Sequence, residues 1–189
     1  ENEILRPEDK IYSINQLLNL LNLEEFEEEK IEEDLELEEI LKEILDYAIV
    51  NKLIEEDTTL RRDLFDTKIM NCIMPRPSQV IEKFWKDYEK SPEEATNNYY
   101  KFSKATDYVR TYRIKKDLKW KTESKYGTLD ITINLSKPEK DPKDIMMMKK
   151  IKSSSYPKCV LCKEMEGFRG RINMASRDNH RIIPLKLAG

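Results

Sequence analysis

The sequence predicts an α+β protein, a helical N-terminal region followed by the first part of a mostly antiparallel sheet domain. Three observations carry this. Apolar residues recur at helical spacing up to about residue 108, a period-two alternation replaces them after Arg113, and prolines and glycines fall between the periodic runs. The expected division is a helical region over 1–108 and an incomplete α+β domain over 109–189. The latter holds a hairpin at about 117–136, a C-x-x-C at 159–162 and a terminal strand at about 180–187.

The first helix rests on Ile11, Ile14, Leu17, Leu18 and Leu21, and the second on Leu37, Ile40, Leu41, Ile44, Leu45 and Ala48. The acidic stretch Glu24 to Asp34 between them repels itself and has no apolar face, so it reads as a solvated linker. A third helical pattern, from Asp63 to Met74, stops at Pro75-Arg76-Pro77, where a new helix starts with Ser78 in its first turn. Val80, Ile81, Phe84, Trp85 and Tyr88 form its apolar face. Ser91 then caps a further helix with Pro92 at its first position, and the Tyr99, Tyr100 and Phe102 on that helix read as core.

Beyond Arg113, Leu118, Trp120 and Thr122 alternate with polar residues, as do Leu129, Ile131, Ile133 and Leu135. With Lys125-Tyr126-Gly127 between them they predict an antiparallel hairpin with one buried face. The lysines and arginines from Lys101 to Lys125 could form a phosphate-binding strip, but acids are interleaved and a solvated face explains them as well. Asp141-Pro142 opens a short helix through Met146, Met147 and Met148. The segment His180 to Leu187 reads as a strand with Pro184 at an edge or bulge. One hairpin and one terminal strand are too few to close a stable sheet, so further strands are expected elsewhere.

Composition narrows the function. Of 189 residues, 38% are charged and 39% hydrophobic, and the net charge is only -3, which argues against a general nucleic-acid or acidic-membrane binder. No apolar run approaches the roughly 20 residues that span a bilayer. The acidic start Glu1-Asn2-Glu3 lacks the features of a signal peptide, and a cytoplasmic protein is expected. Three cysteines give no disulfide framework, and Cys72, within a helical pattern, reads as a reduced core thiol.

The chemistry-bearing residues gather near the C-terminus. Cys159 and Cys162 have three open readings: half of a zinc site needing two more ligands, a redox pair, or two structural cysteines. His180 is the one histidine, set in the polar run Arg177-Asp178-Asn179-His180-Arg181. Asn179 and the arginines suit a ribose hydroxyl, a base edge or a phosphate, or simply a solvated turn.

Several runs together resemble the class II galactose-1-phosphate uridylyltransferases of bacteria. They are Tyr156-Pro157-Lys158-Cys159-Val160-Leu161-Cys162-Lys163-Glu164, Glu166-Gly167-Phe168 with Gly170-Arg171, and Asn179-His180-Arg181-Ile182-Ile183-Pro184. Asp63-Leu64-Phe65-Asp66-Thr67, Pro75-Arg76-Pro77-Ser78, and Tyr126-Gly127 with Asp130 to Pro142 add to them. The resemblance runs from about residue 6 to the end and implies the N-terminal part of the enzyme, with both ends trimmed.

It further implies a histidine-triad-like domain in the cytoplasm that moves UMP from UDP-glucose to galactose 1-phosphate, in galactose metabolism, with a homodimer left open. A histidine in a His-x-His motif carries the uridylyl group. No His-x-His occurs in this chain, so the resemblance implies no catalytic residue here and no activity for the chain alone. By position it implies zinc as cofactor at Cys159 and Cys162, and nucleotide contacts from Arg177, Asn179, His180 and Arg181. Where the family reads Asn-His-Pro-Ala-Arg-Gln-Asn-His-Arg, this chain has Met174 for the first histidine and Asp178 for the glutamine. A rival reading from another class is a non-catalytic helical binding module presenting a zinc knuckle.

Overall fold

The computed structural model describes residues 5–27, 35–135, 142, 146, 156–157, 163–168 and 183. Among the described residues, six helices and one hairpin succeed one another: α1 (Lys10–Leu21), α2 (Leu37–Val50), α3 (Thr59–Cys72), α4 (Pro77–Lys90), α5 (Pro92–Ala105), α6 (Thr111–Ile114), β1 (Leu118–Ser124) and β2 (Gly127–Ile133). Single 3-10 turns lie at Pro7–Asp9 and Lys163–Met165.

The helix ends have local causes. Asn22, after α1, takes the left-handed conformation at φ 56, and the Leu23 amide bonds back to the Leu18 carbonyl at 2.9 Å, an arrangement that satisfies orphan carbonyls at a helix end. Thr58 and Ser91 cap α3 and α5 by accepting the amides of Arg61 at 3.2 Å and Glu94 at 2.9 Å. Pro77 occupies the first turn of α4, where its missing amide hydrogen costs nothing.

Helices α1, α2 and α3 enclose one core. Leu41, Ala48, Ile54, Phe65, Ile69 and Met70 are buried, and Leu17, Leu20, Leu37 and Leu45 are among the half-buried residues packed on them. A second layer is the α4–α5 pair, where Ala95 is 1% exposed beside buried Val80 and Phe84. There the Phe84 ring meets Tyr99 edge-on, centroids 5.7 Å apart. Asn98 ties the pair by donating to the Asp87 carboxylate at 2.9 Å. That bond, working against burial and aided by Lys83, holds Asp87 below the usual carboxylate range.

β1 and β2 pair antiparallel from Leu118↔Ile133 to Ser124↔Gly127. The chain turns back through Lys125-Tyr126, with Gly127 at φ 112, a value that side-chain-bearing residues rarely adopt. The Ser124 hydroxyl donates to the Gly127 carbonyl at 2.8 Å and accepts the Tyr126 amide at 3.2 Å.

Several expectations need correction. The hairpin has the apolar face that the alternation predicted, yet Leu118, Trp120, Leu129 and Ile133 on it are all exposed rather than buried. Tyr100 is also exposed, with Lys104 over its ring, while Tyr99 and Phe102 are half-buried and stack on each other. Cys72 is half-buried at the end of α3, its thiol bonded to the Lys68 carbonyl at 3.2 Å, not in the core. The expected sheet domain appears as this two-stranded ladder alone among the described residues. The acidic linker is described only to Glu27, and the backbone is helical at Pro142 and Met146. Met147, Met148 and most of the expected terminal strand lie outside the described residues.

Candidate functional site

Two regions bear on function. The first is an ionic cluster that fixes the root of the hairpin. Asp63 and Asp66 lie three residues apart on α3, on one helix face, buried at 6% and 3% exposure. Arg110 reaches Asp63 at 2.9 Å and Asp66 at 3.4 Å, and its Nε lies 3.7 Å from Asp107. Arg113 makes a two-pronged bond to Asp63, one arm through Nη1 at 3.1 Å and the other through Nη2. Planar guanidinium–carboxylate pairing of this kind fixes direction as well as distance. Burial pushes the Asp63 carboxyl up, but the Arg113 bonds and the charges of both arginines outweigh it and leave Asp63 below its ordinary value.

The cluster sets the position from which the hairpin departs. α6 is a single turn, too short to hold itself in water. Its arginine Arg113, with Arg110 just before it, clamps it to α3, and the hairpin begins four residues after Ile114.

The second region brackets the C-x-x-C. Tyr156 and Phe168 meet edge to face, centroids 5.6 Å apart, which brings together the two ends of the segment carrying Cys159 and Cys162. Pro157, behind a cis peptide bond, is fully buried. On the other side Lys163–Met165 form a 3-10 turn, the Glu166 amide bonds to the Lys163 carbonyl at 3.0 Å, and Gly167 takes φ 72. Cys159, Cys162, Arg177, Asn179, His180 and Arg181 themselves lie outside the described residues. Among the described residues no group of three or more histidines, cysteines or carboxylates could hold a metal ion.

Sequence reasoning missed the ionic cluster. Arg110 and Arg113 fell within the basic strip Lys101 to Lys125, whereas the structure directs both guanidiniums at carboxylates. The lysines of that strip, from Lys101 and Lys104 to Lys121, are exposed. The available signal was two aspartates interleaved with Phe65 and Ile69 on a face that has to be buried.

The family model for the galactose-1-phosphate uridyl transferase N-terminal domain matches residues 3–183, and the chain belongs to this family. It is 55% identical over 185 residues to a galactose-1-phosphate uridylyltransferase of Clostridium acetobutylicum, covering 97% of this chain and 37% of that protein. A second such protein, of Butyrivibrio fibrisolvens, is 55% identical over 190 residues, 97% of this chain and 48% of its own length. The one from Caldanaerobacter subterraneus is 49% identical over 184 residues, 96% and 35% respectively. The chain thus spans between a third and a half of the length of these relatives. No solved structure matches it. Among the described residues no helix is long and apolar enough to cross a membrane.

Proposed function

We propose that this chain is the N-terminal part of a cytoplasmic UDP-glucose–hexose-1-phosphate uridylyltransferase with a histidine-triad-like catalytic domain. The observation supporting it is the family match over residues 3–183, together with 55% identity to relatives of that name. In this reading a histidine nitrogen attacks the α-phosphorus of UDP-glucose, the bond to glucose 1-phosphate breaks, and that phosphate leaves. The phosphate oxygen of galactose 1-phosphate then attacks the uridylyl phosphorus, UDP-galactose forms, and the histidine is released. Dividing one displacement into two lowers each barrier, and cationic donors stabilise the charge on the transferred group.

The nucleophile belongs to a His-x-His that these 189 residues do not contain, since His180 is followed by Arg181 and Ile182. Asn179 and His180, with Arg177 and Arg181, are assigned to the uridine nucleotide. The chain alone is expected neither to convert galactose 1-phosphate with UDP-glucose nor to take up label from UDP-glucose carrying radioactive α-phosphate. A chimera in which it replaces the matched part of the Clostridium acetobutylicum relative is expected to do both. Acid-labile label on His180 of the chain, lost in a folded His180→Ala variant, would overturn the placement of the nucleophile. A folded chimera that transfers nothing would overturn the function.

Zinc is assigned to Cys159 and Cys162, whose thiolates supply two of the four ligands that a structural site takes. When bound, it would hold the C-x-x-C segment in shape. With two ligands named, the isolated chain is expected to hold zinc weakly and to lose it to a chelator. One zinc per chain surviving that treatment, by elemental analysis, would show a ligand set larger than the two cysteines.

A further inference from the structure

The two faces of the β1–β2 hairpin differ sharply. Directly opposed residues share a face, so the register puts Leu118 with Ile133, Trp120 with Ile131 and Thr122 with Leu129 on one side. The other side carries Lys119, Lys121, Glu123, Thr128, Asp130 and Thr132, and it finds its own partners. Lys121 pairs with Asp130 at 3.6 Å, and the Thr128 hydroxyl donates to Glu123 at 2.9 Å.

The polar side therefore suits water, and the apolar side does not. Leu118 is 53% exposed, Trp120 45%, Leu129 48% and Ile133 46%. Antiparallel sheets usually pack one face on a core, whereas the apolar face here stays largely exposed. A lone two-stranded ribbon is also marginal in water. This one is held at its root by Arg110 and Arg113 on Asp63, with Lys116 lying 3.8 Å from Glu38 of α2. It is presented, not loosely attached.

We propose that the apolar face of this hairpin is the docking surface for the part of the transferase polypeptide that this chain does not span. Two observations select that occupant. The matched relatives carry much additional chain, 63% of the length of the Clostridium acetobutylicum protein lying outside the match (100% less 37%). The face is also small. Seven residues per strand at a rise of about 3.4 Å, on two strands each about 4.8 Å wide, give roughly 230 Å². A stable interface between separate molecules needs about 800 Å² from each partner. A patch of this size suits a segment of the same polypeptide, for which linkage supplies a high effective concentration. The occupant is then apolar itself and packs as a layer against the face of the hairpin. The inference rests on the proposed function only in taking the longer relatives as the working form of the protein.

Trp120 reports directly on this. In a Trp85→Phe background it is the one tryptophan of the chain, and acrylamide quenching measures its exposure. Quenching is expected to be efficient in the chain alone and several-fold weaker in the chimera with the Clostridium acetobutylicum relative, its remaining tryptophans replaced by phenylalanine. As a second measurement, Trp120→Lys is expected to leave the unfolding of the isolated chain nearly unchanged and to lower the folding equilibrium of the chimera at least tenfold. Lys121→Glu, on the polar face, lowers neither to that extent.

Equal quenching in chain and chimera would overturn the proposal. So would concentration-dependent protection in the chain alone with dimers by sedimentation, which would assign the face to a second copy. Transfer activity is not the readout, so a protected Trp120 in an inactive chimera would reject the proposed function and keep the docking surface.

Discussion

Phe65→Ala is expected to destabilise the chain by about 4 kcal/mol, within the range for removing a buried aromatic ring from a core. Phe65 is 4% exposed and is packed in one cluster with Leu41, Ala48, Ile54, Ile69 and Met70. Deleting the ring removes its transfer free energy and leaves a cavity that three helices, joined through the same residues, cannot close by moving separately. The total stability of a domain is only about 5–15 kcal/mol, so this one change removes a large part of it. Urea unfolding followed by helix circular dichroism checks the expectation. The midpoint should fall sharply with its slope unchanged, the sign that stability and not the exposed area has altered. A loss below about 0.5 kcal/mol, the size of an ordinary surface change, would show that this cluster is not the core. Trp85→Ala is the natural comparison, because Trp85 is 37% exposed and should cost much less.

Much of this fold was legible because it rests on local rules. The positions of Leu37, Leu41, Leu45 and Ala48 gave α2, Ser91-Pro92 gave the start of α5, and the alternation around Lys125-Tyr126-Gly127 gave the hairpin. Each depends on neighbours within a few residues. What stayed hidden depends on distant partners. Arg110 and Arg113 lie more than forty residues from Asp63 and Asp66, and nothing local tells a paired arginine from a solvated one. The exposed face of the hairpin was misread for the same reason. Alternation shows that a face is apolar, but what covers it is decided elsewhere. The proposed site residues were legible only through the family-like runs around Cys159 and His180. The structure adds to them the Tyr156–Phe168 contact that brackets the cysteines.

Asp63→Asn is expected to cost about 3 kcal/mol near pH 7, the low end of the range for breaking a buried ion pair. The low end applies because the Arg110 and Arg113 side chains keep 18% and 20% exposure and recover some hydration when their partner goes. The variant keeps the size and one acceptor oxygen of the side chain, so the loss reports on charge more than on packing. Its pH dependence separates the two further. The folded Asp63 carboxyl lies below its ordinary value because Arg113 and Arg110 outweigh the upward push of burial. In acid the unfolded chain therefore binds this proton more readily than the folded one. The stabilisation is fully present above the ordinary aspartate value of about 3.9 and disappears as pH falls through the depressed folded value. The gap between wild type and Asp63→Asn should thus be widest near neutrality and should narrow steadily in acid, measured as urea midpoints across that range. A gap that stayed constant at every pH would mean that Asp63 contributes through shape or neutral hydrogen bonding, and the clamp between α3 and α6 would not be electrostatic.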